Sequence, residues 1–157
     1  MRSDSLKAPV KSILNPKLVS VSADERLDTV DDIMALGQVR HLPVVKAGEL
    51  VGIVSQRDLL RASLSSISNV GLGEKRAFLT SIKLHEIMTC DVITITPETS
   101  IQEAAEIMAD EKIGCLPVVD DNHLMGMITE TDLLHFMAEL GRADRPHTNS
   151  PKKKGAA

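Results

Sequence analysis

The chain has 157 residues, 43% apolar and 25% charged, with 22 acidic against 18 basic residues and a net charge of −4. This is an ordinary globular composition, sized for one domain or two small units sharing a core. No apolar run reaches membrane-spanning length and MRSDSLKAPVK lacks the apolar segment of a secretory signal, so no membrane partner and a cytoplasmic location are expected. With no Trp, no Tyr and only Phe78 and Phe136, the sequence has no stacking platform for single-stranded nucleic acid, and it has no basic groove to go with one.

In chain order, residues 1–13 read as a lead-in, with Val10, Ile13 and Leu14 apolar enough to pack. Residues 18–21 read as a short strand. A helical pattern follows, with Leu27, Val30, Ile33 and Met34 on one side and Asp28, Asp31 and Asp32 on the other, ending near Gly37 as C-cap. Residues 41–45 form a second strand, Lys46-Ala47-Gly48-Glu49 a turn, and 50–54 a third strand. Ser55-Gln56-Arg57-Asp58 then opens a helix running to about Leu64. Residues 65–73 are Ser/Gly-rich and read as a mobile loop, 74–79 as a short helix, and Leu84, Ile87 and Met88 as packing residues. Residues 91–138 repeat the strand–helix–strand–strand–helix order, with Thr99 and Gln102 fitting a capping-box start. Beyond Leu140 the chain is polar and expected to be disordered, its KKK run solvated.

A shift of 74 superimposes HLPVVKAGELVGIVSQRDLL at 41–60 on CLPVVDDNHLMGMITETDLL at 115–134 without a gap. It also pairs Ile33-Met34-Ala35 with Ile107-Met108-Ala109, and Val19-Ser20-Val21 with Ile93-Thr94-Ile95. One structural unit is therefore used twice. Each copy would expose an apolar face it cannot bury alone, so the two are expected to close on each other with pseudo-two-fold symmetry and clefts between them. The expected units are 14–64 and 88–140, joined by a linker at 65–87 and followed by the tail at 141–157.

Cys90 and Cys115 lack metal-ligand spacing and read as reduced thiols at packing positions; the five histidines form no pair at helical spacing. No metal site is expected. No Ser/His/Asp or Cys/His set suggests catalysis either, so neither an enzyme nor a catalytic cofactor is expected. The distinctive motifs are the strand-to-helix turns GIVSQRD at 52–58 and GMITETD at 126–132. Ser55 or Thr129 as N-cap with an acid three residues on is a helix start that needs no ligand. The same geometry offers free amides and a hydroxyl to a phosphate, and an acid to a ribose diol. Both readings fit the spacing.

Both copies resemble cystathionine-β-synthase (CBS) domains, and the pair resembles a Bateman module. The resemblance rests on LPVV at 42–45 and 116–119, on the two Gly-apolar-apolar-Ser/Thr-x-x-Asp turns, and on MTCDVITITPET at 88–99. The linker containing EKRAFL, followed by IKLHEIMT, is similar to acetoin-utilisation regulatory proteins. The resemblance implies an α+β fold of two β-α-β-β-α repeats and a non-catalytic sensor that binds AMP, ADP, ATP or a related adenosyl ligand such as S-adenosylmethionine. It implies ribose contacts for Asp58 and Asp132 and phosphate contacts for Ser55 and Thr129, assisted by Arg57 and Thr131. It further implies base and phosphate contacts for Val39, Arg40 and His41 and for Ile113, Gly114 and Cys115. Adenine would meet Val19-Ser20 and Ile93-Thr94. Because Arg40, His41 and Arg57 stand where the second copy has Gly114, Cys115 and Thr131, the two sites are expected to be unequal. A homodimer and a separate effector protein are the implied partners, and a ligand-free interaction module is the alternative.

Overall fold

The computed structural model describes residues 2–15, 17–65 and 71–143. They form α1 (Arg2–Leu6), a 3-10 turn (Val10–Ser12), β1 (Val21–Ser22), α2 (Leu27–Gly37), β2 (His41–Lys46), β3 (Glu49–Ser55) and α3 (Gln56–Ser65). Then follow α4 (Leu72–Ser81), a second 3-10 turn (Leu84–Glu86), α5 (Ile101–Glu111), β4 (Cys115–Asp120), β5 (His123–Thr129) and α6 (Glu130–Ala143). The tail from residue 144, with its lysine run, and residues 66–70 of the expected loop lie outside the described residues.

The strands make one mixed sheet in the order β1-β2-β3-β5-β4. The two hairpins share a register under the shift of 74: Val44 opposes Gly52 and Val118 opposes Gly126, each pair followed by a bulge. Their turns place Ala47 and Gly48, and Asp121 and Asn122, at positive φ, as two-residue hairpin connections require. The hairpins meet at a single pair, Glu49 with His123.

Several local expectations shift. The first strand is Val21–Ser22, in parallel register with Val44 and Val45, so Val19 and Ser20 stay off the ladder. In the second copy it shrinks to one bridge, Ile95 with Val118. The next amide, Thr96, donates to Thr99 Oγ1 at 3.1 Å and so leaves the ladder for a turn. That bond also occupies Thr99, and the N-cap of α5 is Ser100, whose Oγ accepts from the Glu103 amide. Gly37 ends α2, but the left-handed residue is Gln38, matched by Lys112 after α5. The helix expected over 74–79 begins earlier, at Leu72, where the Gly71 amide donates to the Glu74 carboxylate. Cys90 is exposed and only Cys115 is packed.

Each copy's core is completed by the segment that precedes the other copy. Val21, Leu27, Val30, Met34, Leu42, Val44, Val54 and Leu59 form one cluster, closed by Leu79 and Leu84. Ile95, Ile101, Ala104, Met108, Leu116, Val118 and Ile128 form the other, closed by Val10. Backbone bonds fix the exchange in matching pairs: Leu84 N–H to Glu25 O and Val10 N–H to Thr99 O, both 2.8 Å. Leu27 N–H to Ile82 O matches Ile101 N–H to Ala8 O in the same way. The correspondence between the copies thus reaches upstream to residues 8 and 82.

Gly52 and Gly126 serve this exchange. A Cβ on Gly52 would lie 2.8 Å from Met88 Sδ and 3.0 Å from Thr89 O; on Gly126 its three nearest atoms would all belong to the Leu14 side chain, the first at 2.6 Å. Thr89 is held to Ile53 by two backbone bonds of 2.9 Å and cannot yield cheaply, whereas Leu14 can rotate. Gly52→Ala is therefore expected to destabilise by about 1–3 kcal/mol and Gly126→Ala by less, a difference that urea unfolding will read.

Candidate functional site

The two strand-to-helix turns adopt one geometry. Asp58 Oδ2 accepts from the Ser55 amide at 2.8 Å and the Ser55 hydroxyl at 2.7 Å, while Ser55 Oγ accepts from the Asp58 amide at 3.2 Å. Asp132 and Thr129 repeat this at 2.8, 2.8 and 3.3 Å. Capping is thus a real role of both acids. Asp58 remains half-buried rather than turned to bulk water, with Oδ1 outside the cap.

What separates the two turns is where they face. Ser55, Arg57 and Asp58 line a cleft of about 790 Å³, together with Arg40, His41, Ile93, Ile113, Gly114 and Cys115. Nine of the sixteen residues singled out from the sequence are brought together here, from both copies. The α3 turn of the first copy faces the lead-in to β4 of the second. Thr94 lines a smaller hollow of about 250 Å³ with Gly52 and Cys90. Val19, Ser20, Val39, Thr129, Thr131 and Asp132 line neither cavity.

Cleft residues absent from the sequence reading have separate reasons for escaping it. Arg61 lies four residues after Arg57 on α3, a helical spacing that could have revealed it. Lys112 follows α5 in the left-handed conformation, where no side-chain pattern marks it. Lys75 and Leu79 come from α4, and only the docking of that helix brings them to the cleft. Among the described residues, no group of three His, Cys, Asp or Glu side chains could hold a metal ion.

Burial sets the state of two central groups. The Cys115 thiol is pushed up to about 12, first by burial and then by the Glu130 charge, so it is a neutral packing group. His41 packs against Gly114, its Cε1 lying 3.1 Å from where a Cβ would stand. Burial holds its imidazole below the ordinary 6.5, against the opposing pull of Glu130 and Asp58, while Arg40 and Arg57 act with burial. In the window between the lowered folded value and 6.5, the unfolded chain binds the extra proton. Stability is therefore expected to fall as pH drops below 6.5, and His41→Gln to flatten that part of a melting-temperature-against-pH curve.

Residues 10–65 and 84–139 each match the family model of the CBS domain. The chain belongs to the CBS domain family. It is a tandem CBS pair, a regulatory module, and its two-copy α+β architecture is the one its structural relatives share. An acetoin-utilization (AcuB) assignment has been suggested for one of these relatives, a Vibrio cholerae protein; its crystal structure matches with a TM-score of 0.74 and 32% identity, over 90% of this chain and 100% of that one. The CBS domain pair of protein MJ0100, solved in complex with 5-methylthioadenosine and S-adenosyl-L-methionine, matches with a TM-score of 0.71 and 26% identity, over 83% and 99% of the two chains. In sequence, the uncharacterized protein MJ1225 of Methanocaldococcus jannaschii is 37% identical over 77% of this chain, which spans only 44% of that relative's length. No helix among the described residues is long and apolar enough to cross a membrane.

Proposed function

We propose that this CBS pair is a non-catalytic sensor that binds an adenine nucleotide or a related adenosyl ligand in the 790 Å³ cleft. The observation that carries the reading is the meeting of Asp58, already oriented by Ser55, with Ile93, Ile113 and Gly114 of the other copy. The acid would accept from the ribose diol and the aliphatic wall would hold the base. Arg40 and Arg57 would engage phosphate, giving the first site more cationic character than its counterpart at Thr129 and Asp132. The complex of MJ0100 with two adenosyl compounds supports the ligand class.

A thermal-shift screen of AMP, ADP, ATP, S-adenosylmethionine and methylthioadenosine tests this. A ligand at about a hundred times its dissociation constant stabilises by about 2.7 kcal/mol. A clear shift with at least one is expected, and none with any would leave the interaction-module reading. For regulation, the ligand must bind two conformations or assemblies unequally. Leu60 and Leu64 on α3 and Leu134 and Met137 on α6 are more than half exposed, which supports a homodimer through these helices, readable by sedimentation.

A further inference from the structure

We infer that helix α4 (Leu72–Ser81) belongs to the ligand site, and that its Lys75 binds the distal phosphates of a nucleoside di- or triphosphate. The inference rests on the adenosyl reading above and adds to it the charge of the ligand. Helix α4 lies between the two segments that match the CBS domain, 10–65 and 84–139, so it is outside the repeated unit. It is nevertheless held firmly against the first copy. Leu79 is 3% exposed in that copy's core, and Arg76 forks onto Asp32 with bonds of 3.1 and 2.8 Å. Lys75 stands one turn before Leu79 on the same face, half-buried, and lines the cleft.

Lys75 joins Arg40, Arg57, Arg61 and Lys112 along that wall. Among the described residues, none of these five cations has a carboxylate within 4.0 Å, although the whole chain is acidic. Asp31, Asp58, Asp91 and Glu130 also line the cleft, but none is within ion-pair distance of these cations, which stay available to an anion. Arg61 lies a turn beyond Arg57 along α3, so these two cations form a row that extends away from the Asp58 turn. One phosphate next to the ribose would leave the far end of that row unused, whereas a phosphate chain would occupy it.

Calorimetric titration of the full chain with ATP, AMP and methylthioadenosine, at one fixed salt concentration, tests the inference. Lys75→Gln is expected to weaken ATP about tenfold, as loss of a charge-assisted bond implies, and to leave AMP and methylthioadenosine within about twofold. Lys75→Arg should restore ATP binding, and the unfolding midpoint without ligand should stay put. Equal weakening of all three ligands, an unchanged ATP affinity, or a wild-type chain that takes methylthioadenosine but not ATP overturns the role of α4 alone. A wild-type chain that binds none of the three overturns the adenosyl reading with it.

Discussion

Leu84→Ala is expected to lower the stability of the chain by about 2–5 kcal/mol, the cost of a cavity left by a fully buried leucine. A domain of this size has only about 5–15 kcal/mol in total, so the variant should approach the folding threshold. The reason is the exchange of lead-in segments. Leu84 stands just ahead of the second copy, yet it fills the core of the first among Leu27, Val30 and Leu42. Val10 does the reverse for the second copy. Urea unfolding with residue-resolved hydrogen exchange should show early loss of protection in α2 and β2, not in α5 and β4. Leu72→Ala, at an 89% exposed position, should stay within about 0.5 kcal/mol and serves as the control. A Leu84→Ala cost under about 1 kcal/mol, or loosening confined to the second copy, contradicts the packing.

Asp58→Ala is expected to weaken the adenosyl ligand about a hundredfold, since two charge-assisted bonds to a ribose diol contribute roughly 3 kcal/mol. The variant also loses a helix cap, which by itself costs about 1 kcal/mol of stability. Asp132→Ala separates the two effects. Its cap bonds match those of Asp58 within about 0.1 Å, but, although Glu130 of its turn lines the 790 Å³ cleft, Asp132 and Thr129 do not. Both variants should therefore melt earlier by similar amounts, and only Asp58→Ala should lose its ligand-induced shift. Equal loss in both variants would make the carboxylate a cap and nothing more for the ligand.

The repeat made most of the fold legible. Pairing by 74 residues requires apolar positions to match, and the observed hairpin registers of β2–β3 and β4–β5 obey it pair for pair. Asp58 and Ser55 were readable because their cap is local, settled within four residues. What escaped is non-local. Nothing near Val10 or Leu84 says which copy each will enter, because an apolar residue before a strand packs equally well in either core. The inequality of the two turns escaped in part for the same reason. Arg57 and Thr131 signalled different chemistry, but the docking of α4 and of the lead-in at Thr89 and Asp91 is needed to complete the cleft that Asp58 lines. The brevity of the first strands was hidden too, since Leu18-Val19-Ser20 has strand composition and yet remains off the sheet.

Backbone amide NMR shifts, followed as ATP and then methylthioadenosine are titrated into the isotopically labelled chain, address the cleft most directly. The account predicts saturable shifts concentrated at residues 55–58 and 113–115, contributed by both copies, and weaker ones around 129–132. Shifts confined to one copy, or centred on 129–132 with the Asp58 turn silent, would contradict it.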